Sequence, residues 1–134
     1  MTTLKAIIES LENNYSAYIE KLDGVVATGS TIAEIKANLL DAVDDYIETC
    51  KENGINIPEE LQGEYNIEFS MDVKSLLNLY DKIFSKSGLE RLSGINQKQL
   101  WHYANGKSVP RRAQALKLEN ALHRLGTELM SITL

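Results

Sequence analysis

The stretch Leu89–Pro110, LERLSGINQKQLWHYANGKSVP, constrains this chain more than any other. It reads as a short helix, a tight turn at Ser93-Gly94-Ile95, a second helix opening at Asn96, and a stop at Asn105-Gly106. Two helices joined by a short turn containing Gly form the helix-turn-helix pattern. Asn96 suits an N-cap, because its side-chain oxygen can accept an orphan backbone N–H of the first turn. Gly106 suits the left-handed residue that ends a helix. Leu100 and Tyr103 are spaced to face a core, which leaves Gln97, Lys98, Trp101 and His102 on the outer face. A helix that begins with amide and basic side chains is what reading a DNA major groove requires.

Charge is distributed unevenly around that stretch. The net charge is -5 over 134 residues, yet residues 1–70 carry -10 and residues 71–134 carry +5. The basic half suits phosphate and the acidic half repels it, so two surfaces with different partners are expected. A single Cys50 excludes an intramolecular disulfide, and two histidines give no usual zinc cluster. No apolar run reaches the ~18 residues of a membrane span, and the N-terminus lacks the pattern of a secretory signal. A cytoplasmic protein without membrane contact, metal or cofactor is expected.

The first half alternates strand and turn signals. Leu4–Leu11 reads as a strand, Asn13-Asn14 as a turn, Tyr15–Leu22 as a strand, Asp23-Gly24 as a turn, and Val25–Gly29 as a short strand. Ser30 or Thr31 then caps a long helix, with Glu34 as the capping-box partner of Thr31. Its apolar positions Ile32, Ile35, Leu39, Val43, Tyr46, Ile47 and Cys50 recur at threes and fours, and Asn53-Gly54 ends it. Ile55–Glu64 reads as a loop and Tyr65–Met71 as a half-buried strand. The expected class is α+β: a small β-β-β-α-β domain over residues 1–71, then an all-α domain over residues 72–134.

In that second half, Asp72 caps a helix from Val73 to about Lys86, Ser87-Gly88 breaks it, and Leu89–Ser93 forms a short positioning helix. The last helix spans Pro110–Leu125, with Ala113, Leu116, Ala121, Leu122 and Leu125 inward and Gly126 closing it. The tail Thr127–Leu134 is apolar and β-branched, and is expected to add a strand to the small sheet or to a second chain.

Two family resemblances follow. SGINQKQLWHYANGKSVP with the following RRAQALKLENALHRLG resembles the helix-turn-helix of the phage-repressor (Cro-type) family, over roughly Leu76–Gly126. SAYIEKLDGVVATGSTIAEIKANLLDAVDDYIE resembles the N-terminal domain of HicB-type antitoxins, with Leu22-Asp23-Gly24 where that family usually has a Pro-Gly-Cys type turn. The second resemblance implies a partial ribonuclease-H-like fold. It also implies a partner, a small basic HicA-like toxin that cleaves RNA and is blocked by the acidic domain. The first implies operator DNA as ligand and a two-fold homodimer or higher homo-oligomer.

Carried onto this chain, the repressor pattern makes Gln97 and Lys98 the first outward residues of the recognition helix, with His102 one turn on. Gln pairs bidentately with adenine and Lys reaches guanine. Asn96 and Gln99 flank them. Asn105, Lys107, Ser108, Arg111 and Arg112 read as phosphate contacts, which position without specifying. Trp101 has three readings: packing on the Pro110 loop, which is favoured, contact with a thymine methyl, or a protein interface. No catalytic role is expected. Asp44-Asp45 point about 100° apart on a helix, and Cys50 lies on its apolar stripe. A stand-alone transcription regulator, a metal-dependent nuclease and a small-ligand sensor stay open as alternatives.

Overall fold

The computed structural model describes all residues, Met1–Leu134, and the chain divides into two compact units, Met1–Asp72 and Val73–Leu134. The first is a sheet covered on one face by a helix. Its strands are β1 (Thr2–Ser10), β2 (Tyr15–Ile19), β3 (Val26–Gly29) and β4 (Tyr65–Met71), and its helix is α1 (Ile32–Glu52). The strand order is β3-β2-β1-β4; β1 runs antiparallel to β2 and parallel to β4. The parallel pair needs a crossover, which α1 supplies.

The register shows why α1 lies so close. Ala17 pairs with Ala27 and with Ile8, and Ala6 pairs with Ile19 and Phe69, so small side chains alternate with large ones under the helix. Gly29 completes the floor, since a Cβ there would stand 3.0 Å from Ile35 Cγ1. Into this space α1 lowers Ile35, Leu39 and Val43, all 0% exposed. Fully burying each such side chain is worth ~1.5–3 kcal/mol. Thr31 caps the helix by accepting from Glu34 N–H at 3.1 Å, as expected. Lys36 spans from α1 to the Phe69 ring, 5.2 Å from its centroid.

Two expectations for this unit need correction. The second strand stops at Ile19 rather than Leu22, because Lys21 takes a left-handed φ of 74° and starts the turn that Gly24 (φ 86°) finishes. Leu22 and Val25 stay buried across that turn, so apolar character extends past the pairing. Residues 55–64 are not a bare loop either: a 3-10 turn at Glu59–Leu61 delivers Leu61 to the core, 6% exposed.

The second unit contains α2 (Val73–Leu79), α3 (Lys86–Ser93), α4 (Gln97–Ala104) and α5 (Arg112–Met130). Leu77, Leu89, Ile95, Leu100, Tyr103, Ala104 and Leu118 form its core. The expected helix Val73–Lys86 ends at Leu79. Tyr80, Ile83 and Phe84 then close a tight turn, in which Ile83 and Phe84 N–H both reach Tyr80 C=O. Ser85 restarts the helix by accepting from Gly88 N–H at 3.0 Å, so Gly88 lies inside α3 instead of breaking the chain.

α5 runs through Gly126 to Met130, so Thr127–Met130 is helical rather than a strand. A glycine within a helix costs only ~1 kcal/mol, too little to end one whose flanking residues favour it. On the inward face of α5, Ala121 (2%) is buried and Leu122 packs against the core as expected, whereas Ala113 is exposed and Leu118 (1%), outside the expected set, is buried. No helix of the chain is long and apolar enough to cross a membrane.

Candidate nucleic-acid interface

α3 and α4 are joined by a turn that backbone and side chains define together. Gly94 sits at φ 77°, ψ 5°, and its N–H reaches Glu90 C=O at 2.7 Å. That left-handed conformation favours glycine. The buried Ser93 hydroxyl donates to Leu89 C=O at 2.7 Å and accepts from Ile95 N–H at 3.1 Å. Ile95, 3% exposed, pins the turn to the core.

The start of α4 is doubly capped. Asn96 Oδ1 accepts from Lys98 N–H at 2.8 Å, and Glu90 Oε1 accepts from Gln97 N–H at 2.9 Å. Two orphan donors of the first turn are thereby satisfied. Leu100 (0%), Tyr103 (6%) and Ala104 (9%) face the core, as the spacing of Leu100 and Tyr103 predicts. At the far end, Asn78 Nδ2 donates to Ala104 C=O at 3.0 Å and ties α2 to the last turn of α4.

The nine candidate residues fall into distinct groups. Gln97 and Lys98 project from the first turn of α4 and are exposed; His102 is half-buried one turn on. Asn96 is engaged as the N-cap. Gln99 is half-buried and donates to Ser108 Oγ at 3.0 Å, which fastens α4 to the loop beyond it. Asn105 is the C-cap, its Nδ2 donating back to Trp101 C=O at 2.8 Å. Its side chain therefore braces the helix end.

Lys107, Arg111 and Arg112 are exposed on the segment that leaves α4. Lys107 Nζ stands 4.8 Å from the Trp101 ring centroid, and His102 meets the same indole edge-on at 5.9 Å and 61°. Trp101 thus packs against the loop before Pro110 through Lys107, yet stays 48% exposed. Arg111 occupies the N-cap position of α5 without a side-chain cap of its own, and Arg112 opens the helix. Exposed backbone N–H groups there add to the attraction for anions.

Two basic residues beside α4 escaped the sequence pattern. A Cβ at Gly106 would stand 3.3 Å from Lys74 Nζ, so this α2 lysine lies against the end of α4. A Cβ at Gly94 would stand 3.6 Å from Lys117 Nζ, which places an α5 lysine at the turn. Neither has a local signal, since each reaches its place from another helix.

The first unit is charged the opposite way. Asp41, Asp44, Asp45, Glu48 and Glu52 are exposed along α1, and none is paired with a lysine or arginine. Like charges at four-residue spacing on a helix destabilise it by ~0.2–0.5 kcal/mol per pair. A cationic partner would relieve that repulsion. No group of three or more His, Cys, Asp or Glu side chains converges on a common point, so the acidity is spread over surface.

No curated protein and no solved structure matches the chain. Residues 3–58 match the family model described as UPF0150-like, a family associated with HicB-like toxin-antitoxin proteins; the match covers β1 through α1 and falls within the acidic unit.

Proposed function

We propose that this chain is a HicB-type antitoxin. Its acidic unit neutralises a small, basic, HicA-like RNA-cleaving toxin. Its C-terminal unit is a helix-turn-helix domain that binds operator DNA as a homodimer or higher homo-oligomer and represses its own operon. In this reading the protein is cytoplasmic and acts by binding, with no catalytic role. We read the β3-β2-β1-β4 sheet with α1 on one face as the partial ribonuclease-H-like fold implied by the HicB resemblance.

The observation that carries the reading is the α3–Gly94–α4 arrangement. Gln97 and Lys98 are exposed at the start of a doubly capped helix, and Lys107, Arg111 and Arg112 follow it. Amide and amine donors at a helix start can pair with base edges, while basic residues around them neutralise phosphates. The UPF0150-like match and the unpaired acidic side chains of α1 support the other half of the reading. Complementary charge steers such partners together and selects among them more than it supplies affinity.

Co-expression tests it. An open reading frame adjoining the gene is expressed with and without the full chain. The proposal expects growth arrest by that product alone, relief by this chain, a stable complex, and retarded migration of the gene's upstream DNA. Retarded DNA with neither complex nor relief would leave a stand-alone transcription regulator.

A further inference from the structure

We infer that Trp101 is a specificity-determining residue of the DNA interface, reading the C5-methyl group of thymine in the major groove. The inference rests on the DNA-binding reading above. It begins from what α4 has left to offer. Asn96 Oδ1 caps the start of the helix, Asn105 Nδ2 braces its end and Gln99 Nε2 holds Ser108, so one polar group of each amide is engaged within the protein. Gln97 and Lys98 are the outward polar side chains of the first turn that make no such bond, with His102 half-buried behind them.

Trp101 follows Gln97 by four residues and Lys98 by three, so it lies on the same face one turn on. Four residues advance a helix axis by about 6 Å, or roughly two base-pair steps of about 3.4 Å. With the helix laid along the groove, a ring in that position meets a base pair beyond those reached by the first turn.

An aromatic ring 48% exposed on an otherwise polar helix face is an apolar surface awaiting contact. Two neighbours bear on its orientation: the Lys107 ammonium lies over the ring face and His102 meets the indole edge-on. Such contacts reduce the ordering entropy that opposes binding. Among the groups that base pairs present in the major groove, the thymine C5-methyl is the apolar one. Gln97 and Lys98 recognise donors and acceptors and leave that methyl unread. Lys107 is suited to take a neighbouring phosphate from beside the indole, so one pair of side chains combines a positioning contact with a reading one.

The test begins by selecting preferred duplexes for the full chain from a random pool, then replacing each thymine by deoxyuridine, which lacks the methyl. One such replacement is expected to weaken the wild type by about 4-fold, the worth of one buried methyl group. The same replacement should leave Trp101→Ala unchanged, and Trp101→Phe should keep the preference for thymine. The inference is overturned if no replacement weakens the wild type, or if Trp101→Ala loses as much as the wild type; Trp101 then only braces the loop. Should Trp101→Ala fail to fold, Trp101→Gln, which removes the ring and keeps a long side chain, is read in its place with the same expectation. Enrichment of no sequence by the wild type would overturn the DNA-binding reading itself, and this inference with it.

Discussion

The sheet unit buries its core against a single long helix and leaves acidic side chains unpaired along that helix. The helical unit draws its core from α2, α3, α4 and α5 and leaves basic side chains around one exposed, capped helix. In the first, the helix that covers the sheet also presents the charge. Its inner stripe of Ile35, Leu39 and Val43 fixes which way Asp41, Asp45 and Glu48 point. In the second, α4 is held at both ends by neighbours: Glu90 from α3 at its start and Asn78 from α2 at its finish. A charged surface can thus be aimed by one amphipathic helix, whereas a reading helix is aimed by polar contacts from its neighbours.

Removing one core at a time gives the largest expected effect. Leu39→Ala and Leu100→Ala each truncate a leucine that is 0% exposed, and each should destabilise its own unit by ~2–5 kcal/mol. Denaturant melts with the two binding assays check the division. Leu39→Ala should lose the cationic partner and keep DNA, and Leu100→Ala should do the reverse. A variant that loses both would break the comparison.

Within the basic unit, reading and positioning should separate. Gln97→Ala should reduce discrimination between preferred and altered duplexes by ~1–3 kcal/mol. Arg112→Ala should weaken binding to all sequences alike and lower the salt slope by about one unit. Competition and salt titrations distinguish the two. Unchanged DNA binding in both variants would refute the assignment of α4.

Two glycines should respond with opposite sign. Gly94 is left-handed, so Gly94→Ala should destabilise by ~1–2 kcal/mol. Gly126 is helical with no atom within 4 Å of an added Cβ. Gly126→Ala should therefore stabilise by ~0.5–1 kcal/mol. Thermal melts read both, and a destabilised Gly126→Ala would contradict the continuation of α5 to Met130.

Loss of a cap should matter about equally in the two units. Thr31→Ala and Asn96→Ala are each expected to lower stability by ~1 kcal/mol. Asn96→Ala should leave sequence preference intact, because its oxygen is engaged by Lys98 N–H. A changed preference would return Asn96 to the readers.

Local signals made much of this legible. Thr31 before Glu34, Gly94 before Asn96, and the alternation of Tyr65, Ile67 and Phe69 each state a conformation within a few residues. Where the rival structures share a pattern, sequence could not choose between them. Tyr80 and Phe84 are spaced four apart in a helix or in the tight turn they form, and only Ser85 capping α3 resolves the two. The β-branched tail favours a strand, yet helical hydrogen bonding continues through Gly126. At the interface, residue types marked the place but not the task. Asn96, Gln99 and Asn105 have side chains that can serve DNA or backbone, and they bond within the protein. Lys74 and Lys117 arrive through packing, which carries no local mark.

The division of labour by charge is tested most directly by two surface variants of the full chain, assayed side by side. One replaces Arg111 and Arg112 by Gln; the other replaces Asp41, Asp45 and Glu48 by Asn, Asn and Gln. Each is titrated with the gene's upstream DNA and with the neighbouring gene's product. The first should lose DNA and retain the partner, and the second should lose the partner and retain DNA. If both variants bind both ligands as the wild type does, or each loses both, the charges do not divide the functions and the account is wrong.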